Sequence, residues 1–144
     1  MIAYVLDASV AAKWVLPGRD EPVAVEAIGI LDRFTAGKIR LSVPDLFWPE
    51  VGNILWKSVR LGRIPEKSVG EAVDWFQDLK LPTSSTTLLI PDALRIAIRF
   101  ECTVYDSVYL ALALSSGRPF LTADERLVRC VGAHLPIRWL GSVV

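Results

Sequence analysis

A three-layer α/β/α domain with a mostly parallel central sheet is the fold this sequence predicts, on three observations. Short β-prone runs alternate with helical stretches along the whole chain, the order that builds a parallel sheet covered on both faces. The first run, residues 2–6, is apolar throughout, as a strand buried on both faces must be. The 144 residues, 52% of them hydrophobic, supply the core of one domain spanning 1–144, with no repeats, linkers or low-complexity tracts to divide it.

The strand 2–6 runs into Asp7-Ala8-Ser9 and a helical stretch, residues 10–16, closed by Pro17-Gly18. After Pro22, apolar residues recur at steps of three and four (Val23, Ala27, Ile30, Leu31, Phe34), which predicts a second helix stopped at Gly37. A short strand is expected over 39–43. Asp45 then opens a long helix to about Leu61; its Pro49 lies in the first turn, where a missing N–H costs little, and Gly62 closes it. Residues 65–79 repeat the amphipathic pattern, so these two helices should pair as a hairpin. Residues 83–89, rich in Thr and Ser, suit a short strand or a turn, and Pro91-Asp92 starts a helix to about Phe100. Thr103 and Asp106 have capping-box spacing ahead of 108–114, which is apolar nearly all round and therefore a buried helix, ended by Ser116-Gly117. A strand over 118–122, a short helix capped by Asp124-Glu125 and a last strand over 137–140 complete the pattern.

Composition excludes several kinds of function. Sixteen Lys+Arg balance sixteen Asp+Glu, so no global positive field draws in nucleic acid, and any such contact must be local. The longest apolar run, 108–114, falls far short of the roughly 20 residues that cross a bilayer, and no basic N-terminal region precedes a cleavage site. A soluble, cytoplasmic protein is expected. Cys102 and Cys130 have no close-spaced partner and His134 is the sole histidine, so neither a Cys/His zinc site nor a Ser-His-Asp triad can be assembled, and His134 reads as structural. Neither phosphate-cradling glycine motif occurs. Polar chemistry must come mainly from carboxylates.

Four of them stand where an open α/β sheet puts its ligands, outside the carboxyl ends of the strands. Asp7 ends the first strand, Asp124 follows the strand 118–122, Glu50 sits near the start of the helix after the strand 39–43, and Asp106 opens the buried helix. Each alone is explained by capping or by the helix dipole. Together they gain weight from their neighbours: Asn53 shares a helix face with Glu50, and Ser9 and Thr122 each stand two residues from an acid, where a hydroxyl can orient a carboxylate. Four converging carboxylates would repel one another unless a cation neutralised them, and ligation by oxygen alone selects Mg²⁺ or Mn²⁺ over zinc. Such a site suits phosphodiester hydrolysis.

In order and spacing, four segments resemble the acidic motifs of PIN-domain ribonucleases, with the closest likeness to the VapC toxins of VapBC toxin–antitoxin pairs. They are Val5-Leu-Asp7-Ala-Ser9, Pro49-Glu50-Val-Gly-Asn53, Tyr105-Asp106-Ser-Val-Tyr-Leu and Leu121-Thr122-Ala-Asp124. The resemblance implies that Asp7, Glu50, Asp106 and Asp124 hold Mg²⁺ or Mn²⁺ and carry catalysis, with Ser9, Asn53 and Thr122 in support. It implies an RNA substrate, a homodimer and a small antitoxin partner, for which Trp48, Trp56, Trp75 and Phe76 are compatible surface. Lys13, Lys57, Arg126 and Arg129 are the cations nearest the motifs. Two other readings stay open: a PIN-type nuclease outside any toxin–antitoxin pair, and a non-catalytic domain that binds RNA or a partner. Phosphoryl transfer at Asp7 is disfavoured, because aspartyl-phosphate phosphatases want a second Asp where Ser9 stands.

Overall fold

Five short strands pair side by side in the order β3-β2-β1-β4-β5, every pair parallel. In this computed structural model, which describes residues 1–16 and 22–143, they are β1 (Ile2–Leu6), β2 (Ile39–Pro44), β3 (Thr83–Ser84), β4 (Phe120–Thr122) and β5 (Ile137–Trp139). The sheet is wholly parallel where a mostly parallel one was expected. Its central strand earns that position by composition: Tyr4, Val5 and Leu6 are buried, with Val5 level with Ser42 on one side and Phe120 on the other.

Seven α-helices connect the strands among the described residues: α1 (Ala8–Ala11), α2 (Ala24–Thr35), α3 (Phe47–Arg60), α4 (Ser68–Asp78), α5 (Thr86–Phe100), α6 (Val104–Ser116) and α7 (Glu125–Val131). The chain steps outward from β1 to β2 to β3, then crosses back to β4 on the far side of β1. Right-handed crossovers therefore put α1–α4 on one face and α5–α7 on the other, giving the three layers. The crevice between the ends of β1 and β4, where the winding reverses, is the place such a sheet offers a ligand. Among the described residues no helix is long and apolar enough to cross a membrane.

Several element boundaries differ from expectation for identifiable reasons. The first helix starts at Ala8, two residues early, and tightens into a 3-10 turn at Ala12–Trp14, where the Trp14 indole N–H donates to the Ala27 carbonyl at 2.8 Å. The break expected at Pro17-Gly18 lies outside the described residues. Helix α3 opens at Phe47 instead of Asp45, because the Asp45 carboxylate accepts from the backbone N–H of Thr86 at 3.1 Å. The Thr86 hydroxyl in turn accepts from the N–H of Leu46 at 3.1 Å. This reciprocal tie starts α5 at Thr86, so Pro91 falls inside that helix and does not open it. Helices α3 and α4 flank a small cavity of about 140 Å³ lined by Trp48, Val51 and Gly52 from one and Val73, Phe76 and Gln77 from the other.

Helix α6 is the apolar rod the sequence predicts: Ser107 through Ala113 are all buried. Thr103 caps its start, accepting from the N–H of Asp106 at 3.1 Å, and Gly117 ends it at φ +66°. A side chain at that angle is strained, so Gly117→Ala is expected to cost about 1 kcal/mol in thermal or urea unfolding although open space surrounds the position.

Candidate active site

Asp7 sits at the N-cap position of α1, yet its side chain does not cap that helix. Its Oδ2 instead accepts two hydroxyl hydrogen bonds, from Ser9 at 2.8 Å and from Thr122 at 2.6 Å. The Asp7 N–H donates to the Leu121 carbonyl at 3.0 Å, pinning the residue across the crevice to β4. Thr122 is fully buried and also accepts from the Asp124 N–H at 3.0 Å, while Ser9 accepts from the Ala123 N–H at 3.2 Å. Hydroxyls thus bind the β1 and β4 ends into one unit. The capping explanation fails for Asp7. For Asp124 it holds in part, because Oδ1 accepts from the Leu127 N–H at 3.1 Å.

Glu50 approaches from α3, and its Oε1 accepts from the Tyr109 hydroxyl at 2.6 Å. Asn53 lies one turn further along α3, and Asp106 enters from the first turn of α6. Together these residues line a single cleft of about 520 Å³: Asp7, Ser9, Glu50, Asn53, Asp106 and Asp124 supply its polar lining, with Ala8, Leu46, Pro49, Ile54 and Tyr105 around them. All four acids singled out in the sequence open onto it, as do two of the three supporting residues. Thr122 lies beneath, reaching the cleft through Asp7. No lysine or arginine is among the described residues that line it.

Tyr109 is the part of this arrangement that the sequence reading missed. Its ring stacks on Phe120 with centroids 4.9 Å apart and planes 17° from parallel, buried in the core, while its hydroxyl emerges at Glu50. A signal existed. It lies three residues after Asp106, one turn along the same helix, and a buried tyrosine needs a partner for its O–H. His134, by contrast, packs against Phe100 at 5.7 Å and takes no part in the cleft. Cys102 and Cys130 are both free thiols.

Burial is the largest force on Asp7, Glu50 and Asp106, hydroxyl hydrogen bonds oppose it, and repulsion between the acids adds to it. Desolvation pushes the Asp7 carboxyl above its ordinary range against the pull of the Thr122 and Ser9 hydroxyls, and the charge on Asp124 adds to the rise. Desolvation also raises Glu50, opposed by the Tyr109 bond and reinforced by Asp7 and Asp106. Asp106 is raised by burial and by Asp7 and Asp124, and the Thr103 hydroxyl works the other way. Burial, then the charges on Asp7 and Glu50, push the Tyr109 phenol far above its usual range, so it stays a neutral donor.

These shifts carry a consequence for stability. Groups whose carboxyls are raised on folding take up protons as the chain folds, so their contribution is complete below the ordinary carboxylate range and is lost as pH climbs through the raised values. The cation-free chain should melt progressively lower as pH rises from the ordinary carboxylate range towards neutrality. Thermal melts of wild type and Asp7→Asn across that interval test this, since the variant should show the shallower loss of stability.

Comparison with known proteins agrees with the geometry. The PIN domain family model matches residues 4–132, which includes all four acids and the first three of the sheet's four crossovers. The chain belongs to the PIN-domain family. Ribonuclease VapC3 of Pyrobaculum aerophilum is 32% identical over 127 residues, covering 85% of this chain and 90% of that protein. Exonuclease VapC9 of the same organism is 34% identical over 104 residues, 67% of this chain and 71% of that protein. Among solved structures, a toxin–antitoxin complex from Klebsiella pneumoniae contains a chain that superposes with a TM-score of 0.63 at 13% identity, covering 95% of this chain and 97% of that one. At that identity the likeness is one of fold, and it extends the PIN architecture over nearly the full length.

The chemistry of the donor set fits a hard divalent cation: four carboxylates and an amide, with no thiolate, imidazole or basic side chain among the described lining residues. The acids do not close into a ready-made cage. Among the described residues, no three Asp, Glu, His or Cys side chains are drawn tightly enough to hold an ion by themselves.

Proposed function

We propose that this chain, acting as one domain in the cytoplasm, is a Mg²⁺- or Mn²⁺-dependent endoribonuclease and the toxin of a type II toxin–antitoxin pair. The observation that carries this reading is the convergence of four carboxylates, with no basic residue among the described lining residues, on one cleft at the sheet's switch point. The VapC relatives, one named a ribonuclease and one an exonuclease, support it.

In this reading Asp7, Glu50, Asp106 and Asp124 hold the cation and carry catalysis, with Ser9, Asn53 and Thr122 in support. Bound Mg²⁺ or Mn²⁺ supplies charge neutralisation and Lewis acidity at the phosphodiester. The chain's own part is to hold the acids in place. Ser9 and Thr122 occupy Oδ2 of Asp7, leaving Oδ1 free of those bonds. Asp124 spends one oxygen on its helix and has a second. Asn53 offers an uncharged amide for the sugar–phosphate backbone.

The partners in this reading are RNA, a second copy of the chain and a small VapB-like antitoxin. Of the four aromatic residues on α3 and α4, Phe76 is buried, Trp75 packs on Phe76 and Trp14, and Trp48 packs on Phe47. Trp56, exposed and held by the Arg60 guanidinium 4.9 Å from its ring, is the one that offers most surface to an antitoxin.

The test is RNA cleavage by the purified chain with Mg²⁺ or Mn²⁺ and with EDTA. Cleavage that EDTA leaves undiminished contradicts the mechanism. One relative is named an exonuclease, so a circular RNA belongs in the assay: linearisation supports internal cutting, and cleavage of linear RNA alone supports attack from an end.

A further inference from the structure

We propose that Tyr109 is a positioning residue for Glu50, and that its hydroxyl sets how tightly the cleft binds a divalent cation. The inference rests on the reading of Glu50 as a cation ligand. A glutamate on a helix has three side-chain torsions to fix, and without a partner it pays for that order each time a ligand binds. Here the order is already in place. The Tyr109 hydroxyl donates to Oε1 at 2.6 Å, a short bond of the charge-assisted kind, and leaves Oε2 free of it. The donor itself cannot wander, because its ring is buried and stacked on Phe120.

The Asp7 arrangement repeats this logic. Thr122 stands two residues after Phe120 on the same strand, is buried, and donates to Oδ2 of Asp7. Two acids of the cleft, one at the end of β1 and one on α3, are therefore each held at one oxygen by a hydroxyl rising from the core around β4. Tyr109 also shares α6 with Asp106, so one helix places a third acid directly and a second through its phenol. Groups that orient metal ligands in this way affect affinity about 10- to 100-fold.

The experiment is Mn²⁺ titration by calorimetry on the full chain, comparing wild type, Tyr109→Phe and Phe120→Leu, with circular dichroism and thermal melts of each. Tyr109→Phe keeps the stacked ring and deletes the donor. Phe120→Leu loosens the ring's support but keeps the hydroxyl, so it should weaken Mn²⁺ binding less than deleting the donor does. Mn²⁺ binding at least about 10-fold weaker in a folded Tyr109→Phe, with a smaller loss in Phe120→Leu, supports the proposal. Equal affinity in wild type and Tyr109→Phe overturns it and leaves the cation site standing. Failure of Tyr109→Phe to fold, or a loss in Phe120→Leu as large as that in Tyr109→Phe, overturns it in favour of a structural role. If wild type itself takes up no Mn²⁺, the cation reading of Glu50 falls and the proposal with it.

Discussion

An Asp7→Asn chain is expected to fold as wild type does and to lose at least about 100-fold in divalent-dependent RNA cleavage, as large as the biggest effects of removing a contact that merely supports a metal ligand. The substitution keeps the shape and an amide oxygen that can accept from the Ser9 and Thr122 hydroxyls, so the tie between the β1 and β4 ends survives. What it deletes is a negative charge that burial and Asp124 already oppose. The cation-free melting temperature should hold steady or rise while activity disappears. Few substitutions separate the two readouts in this direction. Loss of both together would mean that Asp7 is needed for the fold, and retention of both would remove it from the chemistry.

The second large effect is on stability. Phe47→Ala should cost about 3–5 kcal/mol, as truncating a fully buried aromatic does. Phe47 has no exposed surface, opens α3 and meets the Trp48 ring edge-on with centroids 5.1 Å apart. Against a total stability of about 5–15 kcal/mol for an ordinary domain, that is a large fraction. Because Glu50 lies three residues further along α3, the site should loosen with the core. Trp56→Ala on the same helix gives the contrast: its ring is more than half exposed, and its loss should cost less than about 1 kcal/mol. Urea unfolding of the two variants measures both values.

The sequence was legible where local physics and tertiary structure agree. Residues 2–6 are apolar without alternation and became the central strand; 108–114 are apolar nearly all round and lie within the buried rod α6. Thr103 and Asp124 have helix-capping chemistry, and both cap. The four acids could be picked out because each follows a strand end or opens a helix, positions that parallel topology brings to one rim. It was illegible where a distant partner decides. Ser85 stands at the cap of α5 but makes no capping bond; the bond that fixes the start comes from Asp45, 41 residues away, which gave up its own helix to supply it. Tyr109 reads as one more apolar position until Glu50, 59 residues distant, is set against its hydroxyl. Thr122 was paired in the sequence with its neighbour Asp124, whereas its hydroxyl proton goes to Asp7 across the crevice.

The central claim is that the cleft lined by Asp7, Glu50, Asp106 and Asp124 is a divalent cation site. Anomalous scattering from crystals of the chain grown with Mn²⁺ tests it most directly. The expected result is a peak inside the cleft, within direct coordination distance of carboxylate oxygens of at least one of the four acids, with water completing the coordination. A cleft that stays empty at saturating Mn²⁺, or an ion that settles elsewhere on the surface, would contradict it.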